Sequence, residues 1–571
     1  MVKICKNTYD NTKYNEHFKL FSYTLSPFQK WSIQAIIEGK NSLITAHTGC
    51  GKTTPAEFAI KYFTHNQCKK VIYTAPLKAL SNQKLFDFRQ KFPGISFGIL
   101  TGDYKDNVDA DVLIMTTEIL KNTLFNKKMD NNASNINALR FDMDVENELG
   151  CVIFDEVHYI TDEKRGGVWE QSIMLLPKHV QLLMLSATIS KPNVFANWVE
   201  KITDNEVYLS STDKRIVPLN HSQWITCHSS IIKNIKDQKI KDFIDKNINK
   251  LHSLKRTGGL YNDNNDNIIR KIKKYFQKNK IYIKRRFILN TLVKQLFDTK
   301  KLPAICFVFS RKHVELCAKE IEISLFEEDE KHLINEVEKE CESILRSKLQ
   351  NVKEYLNLPE YKNIIRLLQK AIGIHHAGII PVFREMIELL FEKKYIRLLF
   401  ATETFAVGIN MPTKTVIFTS LTKYNGNVMR LLYSYEYSQM AGRAGRRGID
   451  NKGDIIICSN LFDIPDIKNF RIMLSGTPKE LISKFKISYH LIIHILLTVK
   501  SKSFIDIVEK FTSKSMIHGD IKNNIQQYEN KLQNINEKIS KKESSILLLR
   551  TNIDMLKEFH QKKKRIFVKF K

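Results

Sequence analysis

The sequence has no Cys-x-x-Cys pair. Its nine cysteines stand singly along 571 residues, which argues against a zinc site or a disulfide framework and for reduced thiols in an intracellular protein. It has no run of about 18 apolar residues, the length a membrane helix needs. Its opening, MVKICKNTYD, contains no apolar stretch of the signal-peptide kind. The expectation is a soluble, intracellular chain with no membrane partner. It is also short of acid: Asp and Glu total 61 against 90 Lys and Arg, a net charge of +29. That excess suits a polyanionic partner. It also follows from AT-rich coding, which enriches Lys, Ile and Asn, so charge alone leaves both readings open.

The chain is long enough for about three or four domains, and 43% of its residues are hydrophobic. After a polar lead-in at 1–24, apolar runs alternate with helical patterns over 25–221: NSLITAHTG, KKVIYTAPL, ADVLIMTT, LGCVIFDE and VQLLMLSAT. Such runs read as buried parallel strands, and their alternation with helices predicts a doubly wound α/β domain. A second series occupies 301–465, with PAICFVFS, IRLLFAT, TKTVIFTS and GDIIICS. Between them, 222–300 reads as a charged linker or insertion containing helices. The tail, 519–571, is predicted to be helical. Ile521, Ile525, Tyr528, Leu532, Ile535, Ile539, Ile546, Leu549, Ile553 and Leu556 alternate by four and three, with Lys542 at the interrupted position. That is a coiled-coil seam of about five heptads.

Three motifs carry chemistry. Ala46, His47, Thr48, Gly49, Cys50, Gly51, Lys52 and Thr53 follow a predicted strand and open a helix that continues with Thr54. This is the context of a phosphate-binding loop, in which backbone N–H groups face phosphate, Lys52 adds charge and Thr53 ligates Mg²⁺. Ala46 replaces the usual first glycine. Asp155 and Glu156 end the apolar run CVIF, where Asp155 would hold Mg²⁺ and Glu156 would act as general base on water. In YSQMAGRAGRRG, the residues Gln439, Arg443 and Arg446 are spaced four then three, one face of a helix. Guanidiniums there suit a γ-phosphate and would reach it when the two α/β domains close. His375 and His376 have no carboxylate or cysteine at ligand spacing, so no metal is expected on them.

Taken in order, these motifs resemble the superfamily-two DExH-box helicases, and more narrowly the superkiller-like RNA helicases that feed RNA to the exosome. The resemblance runs from about Leu25 to about residue 560. It includes Phe28-Gln29, TAPLKALSNQK, TGD, TTEIL, DEVH, RGGVWE, SAT, FVFSRKHVE, HHAG, FATETFAVGINMP and QMAGRAGRRG. It implies two tandem RecA-like domains using ATP and Mg²⁺. It further implies that Gln29 reads adenine, with Phe21 as a stacking partner, and that Gly408 and Asn410 lie near the ribose. His158, Ser186 and Thr188 would couple hydrolysis to domain movement. Pro76, Lys78, Gly102, Thr117 and Glu118 would lie along the nucleic-acid backbone on the first domain, and Ser310, Arg311, His376 and Thr402 on the second. The flavour of the motifs favours RNA over DNA. A repair-type DNA helicase and an inactive RNA-binding scaffold are the alternatives.

Two further expectations come with the resemblance. Asn425-Gly426, within Thr419 to Tyr433, favours a type I′ hairpin, and in the family a hairpin here separates duplex. Residues 466–518 resemble the start of a winged-helix domain, beginning at Phe485, and the seam resembles the first strut of the family's arch. The return strut and ratchet domain have no counterpart in these residues. An RNA channel open on one side is expected, together with self-association or a protein partner along the seam.

Overall fold

The structure, a computed structural model, describes residues 2–47, 49–102, 104–127, 143–162, 165–187, 189–212, 215–349, 351–406, 411, 413–424, 426–446, 448–478, 481–485 and 515–569. Two large sheets dominate, each flanked by helices. The first contains β1 (Lys3–Ile4), β2 (Asn41–Ala46), β3 (Lys70–Ala75), β4 (Phe97–Leu100), β5 (Lys105–Asp106), β6 (Val112–Thr116), β7 (Leu149–Phe154), β8 (Gln181–Ser186) and β9 (Val207–Thr212). Their order is β1-β9-β2-β8-β7-β3-β6-β4-β5, parallel except for β5 against β4. The inner strands are buried along nearly their whole length. That is why they read as unbroken apolar runs rather than alternating ones.

The second sheet contains β10 (Leu219–Trp224), β11 (His252–Arg256), β12 (Ala304–Phe307), β13 (Ile372–His375), β14 (Leu398–Ala401) and β15 (Thr415–Phe418). A hairpin of β16 (Thr422–Tyr424) and β17 (Met429–Leu431) follows, and β18 (Gly453–Cys458) returns to the sheet. The order is β11-β10-β18-β15-β12-β14-β13, with β11 the antiparallel edge. The α/β class and the tandem arrangement are as expected.

Four expectations about boundaries change. The lead-in is part of the first domain: β1 adds to β9, and the Tyr14 ring is buried with its hydroxyl donating to Glu38 at 2.6 Å. The segment 222–300 is not a linker. It supplies β11 and the end of β10. Its helices Asp263–Lys278 and Arg285–Asp298 bury Ile269, Ile272, Phe276, Ile288 and Leu292 in the same core as Phe307 and Phe400. The inward residues recur at helical spacing, but the surrounding lysines on the outward faces mask the stripe. The junction between domains therefore lies between Thr212 and Leu219. The helix Ile467–Ser475 also belongs to the second domain, where Ser434 Oγ donates to Met473 O at 3.0 Å and Phe470 is buried. Beyond it the chain returns to the first domain: Phe485 joins that core and Ser483 Oγ donates to the Glu170 carboxylate at 2.8 Å. The rest of the expected winged-helix segment lies outside the described residues.

The tail is one helix, Met516–Lys569. Its seam is uncovered, with Leu532 at 63% and Leu556 at 68% exposure.

Candidate active site

The chemistry gathers where doubly wound sheets place it, at the carboxyl ends of the strands. β2 runs into the phosphate loop, β7 into Asp155 and Glu156, and β8, lying between them, ends at Ser186. Gly49 and Gly51 hold φ of +84° and +86°, a left-handed backbone that glycine adopts without strain. The helix Thr53–Lys61 starts directly afterwards. Lys52 is buried, and its Nζ makes no hydrogen bond among the described residues; the nearest carboxylate oxygen, Glu156 Oε2, is 3.6 Å away. A buried ammonium in that state requires an acceptor, and a phosphate fits. Gln29 is fully buried and braces the loop, its Nε2 donating to Gly51 O at 2.9 Å and its Oε1 accepting from Ser26 N at 2.8 Å. Thr54 Oγ1 meets Tyr23 OH at 2.8 Å, and the Tyr23 ring lies 6.0 Å from Phe21. Cys50 is buried, and His47 lines the cleft.

Asp155 accepts from Tyr73 OH at 2.5 Å and from Glu156 N at 2.9 Å. Burial, reinforced by Glu156, pushes its carboxyl up. A cation at this position would offset that cost, so the buried Asp155 carboxylate fits Mg²⁺. Glu156 sits at φ +51°, ψ 44°, a left-handed conformation unusual for a side-chain-bearing residue. Burial raises its carboxyl as well, but Lys52, His158 and Arg443 outweigh burial and hold it below the usual range. His158 Nδ1 lies 3.2 Å from Glu156 Oε2 and 3.4 Å from Ala187 N. Burial pushes the imidazole down even beside Glu156, and His158 stands between the carboxylate and the Ser186-Ala187 turn, accepting from Ala187 N. Ser186 Oγ is buried without a hydrogen-bond partner among the described residues.

The second domain closes the cleft with Ser438, Gln439, Gly442 and Arg443. The expected single helical face is not formed, because the helix Ser434–Ala441 ends before Arg443. Ala444 bridges to Thr413, and Gly445 turns at φ +90°. Arg443 is buried, which lowers it to about 10 even with Glu156 nearby; it stays charged. Arg446 points elsewhere, gripping Asp450 through Nε at 2.8 Å and Nη2 at 3.0 Å.

The nucleic-acid candidates occupy other strands of the same edges. Pro76 and Lys78 follow β3, Gly102 follows β4, and Thr117 and Glu118 follow β6. A Cβ on Gly102 would lie 3.4 Å from Lys78 Nζ. Thr117 Oγ1 is buried and has no partner among the described residues. On the second sheet, Ser310 and Arg311 follow β12, His376 follows β13 and Thr402 follows β14, three adjacent strands. Ser310 caps the helix Arg311–Lys319, accepting from His313 N. His376 Nε2 faces Glu315 at 3.4 Å, and His375 Nε2 faces Glu388 at 2.7 Å. Carboxylates thus reach both histidines from distant helices. No group of three or more candidate metal ligands occurs among the described residues. No helix there is long and apolar enough to cross a membrane. Thr48, Thr188, Gly408 and Asn410 lie outside the described residues.

Sequence reasoning missed Tyr73, Arg165 and Arg215. Tyr73 is a polar tip inside the run KKVIYTAPL, the one signal that marked it. Arg165 donates to Glu118 Oε1 at 2.7 Å and to Pro76 O, tying two candidate contacts together.

Comparison with known proteins agrees with this geometry. Residues 26–195 match the DEAD/DEAH box helicase family, and residues 349–448 the helicase conserved C-terminal domain. The chain is 35% identical over 517 residues to the antiviral helicase SKI2 of Saccharomyces cerevisiae, covering 83% of this chain and 38% of that protein. It is 35% identical over 485 residues to the ATP-dependent RNA helicase mtr4 of Schizosaccharomyces pombe, covering 84% and 40%. It is 34% identical over 548 residues to the DExH-box ATP-dependent RNA helicase DExH10 of Arabidopsis thaliana, covering 95% and 51%. The chain therefore spans about half or less of the length of these relatives. With the phosphate loop, the DEVH strand end and the arginine loop meeting in one cleft, the chain carries the DEAD/DEAH box helicase and helicase C-terminal domains and over most of its length is similar to superkiller-like DExH-box helicases.

Proposed function

We propose that the chain hydrolyses ATP to move along single-stranded RNA, in the 3′ to 5′ direction, and so separates duplex. The observation carrying this is the convergence of Glu156 from one sheet and Arg443 from the other on a single cleft, with Lys52 Nζ 3.6 Å from the Glu156 carboxylate. Lys52 takes up phosphate charge. Glu156, held ionised, orients the attacking water and accepts its proton. Arg443 balances the charge that develops on the transferred phosphoryl group. Mg²⁺, when bound, supplies charge neutralisation to the phosphates, and Thr53 and Asp155 are the residues that would hold it. The residues after β3, β4, β6, β12, β13 and β14 grip the backbone of the strand without reading bases. RNA is favoured because the similar proteins mtr4 and DExH10 are named RNA helicases.

The test is ATPase activity of the chain with single-stranded RNA and with single-stranded DNA of the same length and base order. Greater stimulation by RNA is expected. Equal or greater stimulation by DNA would transfer the proposal to the repair-type reading. No ATPase with either would leave a scaffold.

A further inference from the structure

β9 ends at Thr212 and β10 begins at Leu219, so a short segment carries the chain from the first domain into the second. Within it, Arg215 reaches the loop that carries Arg443. Its Nη2 donates to Gly442 O at 2.7 Å and to Ala444 O at 3.1 Å, while its Nε donates to Val217 O at 2.9 Å. The intervening carbonyl, that of Arg443, accepts from Thr413 N at 2.8 Å. All three carbonyls around Arg443 are thereby held, two of them by one guanidinium. Val217 packs beside it: a Cβ on Gly445 would meet Val217 Cγ1 at 2.5 Å. The interdomain segment and the arginine loop thus touch so closely that no side chain fits between them. Arg215 also lines the cleft alongside Glu156 and Arg443.

We propose that Arg215 is a positioning residue for Arg443, clamping the arginine loop to the segment that joins the domains. This rests on the ATPase reading above. Glycines at 442 and 445 flank Arg443, and such a backbone is conformationally free unless something restrains it. The planar guanidinium donates from Nη2 to two carbonyls of the loop and from Nε to Val217 O in one rigid fork, whereas an ammonium has its donors on one nitrogen and cannot hold both ends of that span. The clamp makes the placement of Arg443 depend on the geometry of the interdomain segment. Hydrolysis is then tied to how the two domains stand, through a residue that itself need not touch nucleotide.

The experiment uses the full chain as wild type, Arg215→Lys, Arg215→Ala, Arg443→Ala and the Arg215→Lys/Arg443→Ala double variant. Displacing a catalytic group by about 1 Å can cost up to ~10²-fold, so Arg215→Lys is expected to lower kcat by about 10- to 100-fold. The affinity for a fluorescent ADP and the melting temperature should stay at wild-type values. The double variant should be no slower than Arg443→Ala alone, because the clamp acts only through Arg443. Hydrogen exchange should rise at the amides of 442–445 in Arg215→Lys, a readout independent of activity. Should Arg215→Ala fail to fold, Arg215→Lys still decides. Wild-type turnover in Arg215→Lys, multiplicative losses in the double variant, or unchanged exchange in the loop would overturn the clamp. A wild-type chain without ATPase would sink the proposed function instead, and loop exchange would still judge the clamp.

Discussion

Glu156 shows what a single residue contributes. Its left-handed backbone, φ +51° and ψ 44°, costs on the order of 1–3 kcal/mol. Its own N–H, donating to Asp155 Oδ1 at 2.9 Å, and its carbonyl, accepting from Tyr159 N at 3.0 Å, hold it there. The result sets the carboxylate 3.6 Å from Lys52 Nζ, the placement suited to the base proposed above. Glu156→Gln keeps the shape and removes the base. It is expected to bind ATP as wild type does and to lose ~10²-fold or more in turnover, read by single-turnover hydrolysis beside an ATP-binding titration. Turnover near wild type would remove Glu156 from the role. Asp155, Glu156 and Lys52 were all legible in the sequence, since a strand end and a glycine loop are local signals. The different surroundings of Arg443 and Arg446 were not. Spacing put both on one helical face, whereas Arg446 pairs with Asp450 and Arg443 lines the cleft with Glu156.

At the scale of an element, the hairpin β16–β17 is the informative case. Lys423 and Arg430 face each other across it, and both pair with Glu436, at 2.9 and 2.8 Å. Glu436 lies on the helix that also bears Gln439, so the hairpin is tied to an element lining the cleft between the two sheets' loops. Asn425-Gly426 announced a turn here; Asn425 lies outside the described residues, and the ladder ends on the pair Tyr424 and Met429. At its base Leu421 and Leu432 are both buried and Leu432 N donates to Leu421 O at 2.8 Å, which fixes the register. The tip is apolar and exposed at Tyr424, Val428 and Met429, a surface suited to stacking against bases. Replacing these three with Ser, while leaving Lys423 and Arg430 in place, is expected to spare RNA-stimulated ATPase and to impair strand separation in a fluorescent duplex assay. Unwinding at the wild-type rate would show that the hairpin is not a wedge.

Across the whole molecule, the two sheets divide their edges in the same way. Strands β2, β8 and β7 carry the residues proposed for nucleotide chemistry, and the neighbouring β3, β6 and β4 carry the candidate backbone contacts; on the second sheet β12, β14 and β13 do the latter. A strand lying across both edges meets hydroxyls, amides and cations, contacts that recognise phosphate. With a net charge of +29, association should be dominated by release of counterions. RNA affinity is expected to fall ~10³- to 10⁵-fold between about 50 and about 200 mM salt, if some 6 to 10 phosphates are neutralised. Fluorescence anisotropy over that range measures the slope. A flat dependence would mean that base stacking, not phosphate, holds the strand.

What could be read from residue order was whatever neighbours in the chain encode: buried strands from unbroken apolar runs, the tight loop after β2 from its glycines, the last helix from its four-three spacing. The assignment of 222–300 failed because lysine-rich outward faces masked Ile269, Ile272 and Phe276, whose burial depends on a sheet built mostly by later residues. Glu388 on His375, Glu315 on His376, Asp450 on Arg446 and Arg215 on the carbonyls of Gly442 and Ala444 are products of the folded chain. Each depends on where strands and loops come to rest and on side-chain geometry at a few ångströms. Local periodicity carries the elements because their hydrogen bonds and faces repeat along the chain. The pairings that orient Glu156, Arg443 and the hairpin arise only when packing brings elements together.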